Sequence, residues 1–209
     1  KDGVTWVNWS SMGGPPSRSE QPIAADAATF EILRDSRYGR DQSTVFCEGK
    51  PLDGADPDTF RVVATLKEAD RAFVADAQSA WADCERIKGA NGASFEALPG
   101  DYARDAERVY SWKWPIDGAD PQSFTVLPED TEYARDQSGI WVGSFKLPTT
   151  KPDAFRIIGE YYSTDGEQVF YWQNVVNGAD VASFHIPKGM SIGRDANTCW
   201  YGTRPRPCS

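Results

Sequence analysis

Tyr102-Ala103-Arg104-Asp105, then Val109-Tyr110, then Gly118-Ala119-Asp120-Pro121-Gln122-Ser123-Phe124 form one phrase of this chain. Tyr38-Gly39-Arg40-Asp41, Val45-Phe46 and Gly54-Ala55-Asp56-Pro57-Asp58-Thr59-Phe60 repeat it. Copies open at Asp41, Asp76, Asp105, Asp136, Asp165 and Asp195, with spacings of 35, 29, 31, 29 and 30. Five residues after each Asp stands an aromatic: Phe46, Trp81, Tyr110, Trp141, Phe170 and Trp200. The copies close on Phe60, Phe95, Phe124, Phe155 and Phe184. A fixed period of this length marks a repeat architecture, in which one Asp is an equivalent structural position before it is a catalytic candidate.

Within a copy, Tyr102-Ala103-Arg104 reads as extended, Asp105 to Arg108 as a polar loop, and Val109 to Trp114 as an alternating segment with rings 110, 112 and 114 on one face. Extended segment, short loop and period-two segment predict a β-hairpin. The loop Asp suits a turn because its carboxylate bonds backbone N–H groups two residues on. Asp120-Pro121 predicts a cap followed by a single helical turn that tucks Phe124 inward, with Gly54, Gly89, Gly118 and Gly178 supplying the tight entry. In the fourth copy Pro152 keeps its place, but Lys151 replaces the capping Asp.

The expected fold is therefore mainly β: a tandem array of about six hairpin units, each followed by a one-turn element, stacked as antiparallel sheet or solenoid-like. Its copies are 38–63, 73–98, 102–127, 133–158 and 162–186, with a C-terminal half-copy at 192–208. A partial copy over 1–33 carries a polar insertion, Met12-Gly-Gly-Pro-Pro-Ser17. The whole of 1–209 is expected to be one repeat domain. With 8 Trp, 8 Tyr and 10 Phe but 2 Met, the composition favours pleated surfaces, where aromatics pack well.

A net charge of −9 opposes nucleic-acid binding, which needs clustered Lys and Arg, and suits a basic protein partner. No apolar run reaches the roughly 18 residues of a membrane span, and the opening Lys1-Asp-Gly-Val-Thr-Trp6 is expected to be that of a mature chain rather than a signal peptide. Four cysteines without metal-ligand spacing predict two disulfides, Cys47–Cys84 in equivalent arms of successive copies and Cys199–Cys208 around the last half-copy. Four buried free thiols are the alternative. Disulfides imply a periplasmic or extracellular location.

Tyr-Ala-Arg-Asp-x-x-x-Val-Tyr followed by Gly-Ala-Asp-Pro-x-Ser-Phe resembles the DKNYY repeat family, most closely at Tyr38–Val63 and Tyr102–Leu127. The likeness covers most of residues 38 to 208. The chain departs from the family pattern in placing Arg before the Asp (Arg40, Arg104, Arg135, Arg194) and in carrying cysteines. The resemblance implies a repeat fold and a bacterial origin, with envelope or secreted settings, and it brings no catalytic residue.

His185, the only histidine, reads as a surface side chain without triad partners. The repeated Asp residues could form a calcium array, but one loop Asp and one cap Asp about 15 residues apart lack the oxygen density of a calcium loop; turn and cap roles with the preceding Arg as partner are preferred. No cofactor is expected. The candidate binding residues are Trp112, Trp114, Trp141, Tyr171 and Trp172; buried, they are core, and exposed, they anchor a protein or stack on sugar. The favoured function is a non-catalytic binding protein, most concretely an immunity protein or inhibitor of a bacterial toxin or hydrolase. The alternative is a carbohydrate-binding repeat protein of the envelope. A hydrolase with paired carboxylates is the weakest reading.

Overall fold

The computed structural model describes residues 3–10, 17–66, 71–159 and 161–208. The chain is mainly β, built from small antiparallel sheets, none of which closes into a barrel. Two 3₁₀ turns, Gly92–Ser94 and Pro152–Ala154, are its helical segments among the described residues. A two-stranded hairpin, Val4–Ser10 against Ser17–Ile23, comes first. The expected insertion lies largely in residues 11–16, outside the described residues, as does Asp2.

Five four-stranded sheets follow, each with its strands in chain order, so every connection is to a neighbour. The first comprises Glu31–Ile32, Tyr38–Arg40, Val45–Cys47 and Lys50–Pro51; the second Arg61–Leu66, Arg71–Ala75, Ala80–Ala82 and Glu85–Arg86. The third holds Glu96–Ala97, Tyr102–Arg104, Val109–Ser111 and Trp114–Pro115; the fourth Thr125–Val126, Tyr133–Asp136, Gly139–Val142 and Phe145–Lys146. The fifth holds Arg156–Gly159, Tyr162–Thr164, Val169–Tyr171 and Asn174–Val175. A three-stranded sheet of Gly193–Arg194, Cys199–Tyr201 and Arg204–Arg206 comes last. The chain divides into two compact units, Lys1–Leu98 with Ala103–Trp114, and Pro99–Tyr102 with Pro115–Ser209.

Each four-stranded sheet thus has more than the expected hairpin. The segment after the closing Phe adds a strand in front, and a tight turn after the aromatic adds an edge strand behind. That turn corrects the alternation expected over 109–114. Trp112-Lys113 leaves the strand, with Trp112 at φ 55°, so Tyr110, Trp112 and Trp114 do not share one strand face. The expected helical turn is 3₁₀ in two copies. In two others it is a turn closed by the N–H of Phe60 or Phe124 donating to the carbonyl of Asp56 or Asp120, each at 3.0 Å.

The loop Asp holds the fold locally. Asp105 Oδ1 accepts the backbone N–H groups of Glu107 and Arg108, both at 2.8 Å, which closes its own loop. Its Oδ2 accepts the N–H of Asn91, the cap residue of the preceding copy, at 2.8 Å. The same cap-to-loop bond joins Asp26 to Asp41, Asp56 to Asp76, Asp120 to Asp136 and Asp180 to Asp195, at 2.8 to 3.1 Å. A reciprocal bond returns. The cap's Ser or Thr hydroxyl accepts a loop N–H: Ala77 to Thr59, Ala106 to Ser94, Gln137 to Ser123 and Ala196 to Ser183, at 2.9 to 3.1 Å. This explains physically why Gly-Ala-Asp-x-x-Ser/Thr-Phe travels with Tyr-x-x-Asp.

The fourth copy shows the substitution at work. Lys151 makes no side-chain cap bond. Thr149 supplies its hydroxyl to Asp165 Oδ2 at 2.7 Å instead, and Lys151 pairs with Glu167 at 2.6 Å.

The core lies behind these joints. Each copy's opening aromatic packs on its own closing Phe: Tyr38 on Phe60, Phe73 on Phe95, Tyr102 on Phe124, Tyr133 on Phe155 and Tyr162 on Phe184, with ring centroids 5.2 to 5.9 Å apart. The ring five residues after the loop Asp is buried in every copy. At Gly39, beside Tyr38, and at Gly193, beside Ile192, the preceding Phe leaves no room for a side chain: a Cβ on Gly39 would lie 2.5 Å from Phe30, and one on Gly193 would clash with Phe184. The Arg preceding the loop Asp finds a partner other than the neighbour expected. Arg40 and Arg104 reach across the strand pair to Glu31 and Glu96, and Arg135 pairs with Asp153.

Burial raises the pKa of Asp105, but the N–H groups of Asn91, Glu107 and Arg108 and the Tyr110 hydroxyl outweigh it, so the carboxyl titrates below its ordinary 3.8. Asp41, Asp136, Asp165 and Asp195 are lowered by the same balance. A carboxylate depressed on folding stabilises the fold above its unfolded pKa and releases that stability as pH falls through the folded one. Unfolding free energy should therefore hold constant from neutral pH down to about 4 and then drop steeply. Asp105→Ala, which strands buried N–H donors, should cost about 3 kcal/mol at pH 7. Denaturant unfolding monitored by tryptophan fluorescence across pH checks both; a pH-independent midpoint down to pH 2.5 contradicts the carboxylate account.

Candidate functional site

Three positions in the sheets decide which rings reach the surface. The first is the central strand, where Trp141 sits opposite Ala134 and Lys146. Trp141 is 2% exposed and belongs to the buried ring set with Trp81 and Tyr110, which corrects its expected binding role.

The second position is the turn after that strand. Trp112 and Trp172 occupy it with φ of 55° and 52°, where Glu48 and Asp83 stand in other copies and Gly143 and Gly202 take the same conformation. A left-handed conformation costs a bulky residue about 1 kcal/mol or more, so packing must offset it. Trp112 rests on Phe73 with centroids 5.1 Å apart and under the Arg71 guanidinium at 4.8 Å. Trp172 stacks on Tyr161 at 5.7 Å with the planes 18° apart. Both tryptophans are half-buried, and so is Tyr171, which packs between Tyr161 and Tyr162.

The third position is the edge strand. It has a neighbour on one side only, so rings there stay in solvent. Trp114 is 64% exposed and Phe145, at the equivalent place in the fourth sheet, 54%. Lys113 lies 5.5 Å above the Trp114 ring and pairs with Glu85. The last sheet adds Tyr201, 52% exposed.

Of the expected binding residues, then, Trp114 is fully displayed, Trp112, Tyr171 and Trp172 are partly so, and Trp141 is core. The structure gathers Tyr171 and Trp172 around Tyr161. Trp112 and Trp114 bracket the Lys113 turn. Phe145, Tyr161 and Tyr201 were missed. Their signal was present, since Phe145 and Tyr201 follow or precede a Gly-Ser or Gly-Thr turn pair, but reading it required placing that turn. His185 is exposed, with Nδ1 2.9 Å from the Ser183 carbonyl.

No group of three or more metal-ligating side chains occurs among the described residues. The loop carboxylates accept N–H groups from their own loop and from the preceding cap.

Both expected disulfides are formed. Cys47–Cys84 joins a strand of the first sheet to the tight turn between the last two strands of the second, with Cα atoms 5.7 Å apart. It lies beside a charged cluster in which Arg37 bonds Asp35 at 2.9 Å and Asp83 at 3.0 Å, while the Tyr38 hydroxyl donates to the Asp83 carbonyl at 2.7 Å. Burial raises the Asp35 pKa, and the Arg37 guanidinium overcomes this to hold it below the usual carboxylate range. Cys199–Cys208, at 5.2 Å, ties down the final hairpin.

A family model described as the DKNYY family matches residues 73–204, well over half of the chain. The chain belongs to the DKNYY family. No curated protein and no solved structure matches it. The cap-to-loop bonds account for the residues that recur from copy to copy in this chain without assigning them a ligand: Asp closes the loop, Ser or Thr returns the bond, and Phe seals the core. What differs from copy to copy is the turn and edge-strand residue, so those positions carry the candidate surface of this DKNYY chain.

Two closures of this kind carry a calculable effect. For loops of 37 and 9 residues, chain-entropy arguments give about 4 and about 2.5 kcal/mol of stabilisation. Reduction should lower the chain's stability by an amount of that order. Urea unfolding with and without reductant, with the thiols counted by mass after alkylation, tests it; an unchanged midpoint on full reduction contradicts the assignment of a structural role.

Proposed function

We propose that this chain is a non-catalytic binding protein of the periplasm or cell exterior, a solenoid-like run of about six hairpin units whose ligand is another protein. Its most concrete form is an inhibitor or immunity protein that neutralises a basic toxin or hydrolase. One observation carries the reading. The repeated carboxylates, which would be the acid–base or metal-binding groups of an enzyme, are held as backbone acceptors, while large rings on the edge strands, Trp114 and Phe145, project into solvent. Exposed aromatics on a rigid scaffold are the usual energetic anchors of protein interfaces. The net charge of −9 would steer such a surface to a cationic partner. The two disulfides suit an oxidising compartment, and no helix among the described residues is long and apolar enough to cross a membrane.

Affinity capture with the wild-type chain, followed by titration of each captured protein against Trp114→Ala and Phe145→Ala, tests this. The expected result is a partner whose affinity falls at least tenfold in one of these variants and whose enzymatic activity, if it has one, is inhibited with one-to-one stoichiometry. Equal capture by wild type and both variants removes the edge-strand rings from the interface.

A second reading, glycan binding, is favoured by the Tyr161–Trp172 stack, in which Tyr161 is 38% exposed and Trp172 half-buried. Ring faces of this kind stack on the C–H face of a sugar. A glycan array should then show signals for wild type that fall at least fivefold in Trp172→Ala; a flat wild-type array rules the reading out.

A further inference from the structure

The last hairpin carries a feature found in no other sheet among the described residues. Cys199–Tyr201 and Arg204–Arg206 pair antiparallel, with Tyr201 opposite Arg204 and Cys199 opposite Arg206. Directly opposed and second-neighbour residues of a strand pair share a face, so Tyr201, Arg204 and Arg206 stand together while Trp200 turns into the core, 3% exposed. The Arg206 guanidinium lies 5.4 Å from the Tyr201 ring centroid. Both arginines are exposed, and neither forms an ion pair among the described residues. The edge strands of the other sheets read Lys50-Pro51, Glu85-Arg86, Trp114-Pro115, Phe145-Lys146 and Asn174-Val175, none with two cations.

These residues line one side of an open depression of about 620 Å³. Its remaining wall is uncharged: Tyr171, Asn174, Ser191 and Thr203 bring polar groups beside the apolar Ile192. No carboxylate lines it, although the chain as a whole is acidic. The strand is also stiff. Pro205 and Pro207 fix their backbone angles, and the Cys199–Cys208 disulfide closes the hairpin behind them. Little backbone remains to be ordered on binding.

We infer that the Tyr201–Arg204–Arg206 face is a binding site for an anionic carbohydrate, a glycan bearing sugar carboxylates. It rests on the glycan reading above and gives that reading a charge and a second contact surface. Two arginines whose Cα atoms stand about 7 Å apart along the strand offer planar guanidinium forks for carboxylates. The exposed Tyr201 ring offers a stacking face, and the Asn, Ser, Thr and Tyr groups match ring hydroxyls. An acidic peptide fits less well. Peptides that dock on a sheet edge do so by adding a strand through backbone N–H and C=O groups, and Pro205 and Pro207 remove N–H donors from this edge.

Isothermal titration with a galacturonic acid hexamer, a neutral hexasaccharide of glucose and poly-Glu of matching charge tests the inference on the full chain with its disulfides intact. The expected result is binding of the uronate oligomer that weakens at least tenfold in Arg204→Ala, Arg206→Ala and Tyr201→Ala, weakens with salt, and is unchanged in Lys50→Ala. Circular dichroism confirms that the exposed substitutions leave the fold intact. Equal binding of poly-Glu makes the face a generic anion patch and overturns the inference. Neutral glycan binding that depends on Trp172 but ignores the arginines overturns it while the glycan reading stands. No heat with any of the three overturns it outright.

Discussion

One carboxylate doing two jobs organises this protein. Asp105 uses Oδ1 to close its own loop and Oδ2 to receive the cap of the copy before it; Asp41, Asp76, Asp136 and Asp195 receive a cap N–H in the same way, and Asp165 takes the Thr149 hydroxyl in its place. Buried N–H groups at a turn and at a cap both need acceptors, and a single ionised side chain between them satisfies both with charge-assisted bonds. The spacing of the repeated phrases follows from that geometry: cap and loop must be far enough apart to contain two strands, yet close enough to meet through one side chain. The aromatic packing then completes what the hydrogen bonds position, with each opening ring seated on its own closing Phe.

Much of this was legible in the residues. The period, the strand content, the loop role of Asp, the glycine entries and the two disulfide pairings could all be read from positions that recur. What could not be read was the partner of each recurring group. A cap Asp and a loop Asp each suggest a local turn, but the bond between the Asp120 N–H and Asp136 joins two motifs that look independent in a linear text. The Arg before the Asp likewise points across the sheet to Glu31 or Glu96, because a strand directs neighbouring side chains to opposite faces.

The aromatic candidates divide on the same ground. Trp112 and Trp114 look like members of one alternating run, and only the turn at Trp112-Lys113 separates them. Trp141 matches the composition of a binding residue and occupies a core position. At the surface, identity follows from place: the central strand buries its ring, the turn half-buries it, and the edge strand leaves it in water. Sequence lists the rings, while the location of one tight turn sorts them.

The cap-to-loop bonds span only 14 to 20 residues along the chain. Contacts this short in sequence close cheaply and let structure begin at any joint and spread to its neighbours. They also mean that duplicating one thirty-residue stretch brings its own cap and its own loop, and so supplies both halves of every new joint. Such a chain can lengthen by gene duplication without re-engineering its interior, leaving the exposed turn and edge-strand residues of each added copy free to diverge toward a new ligand.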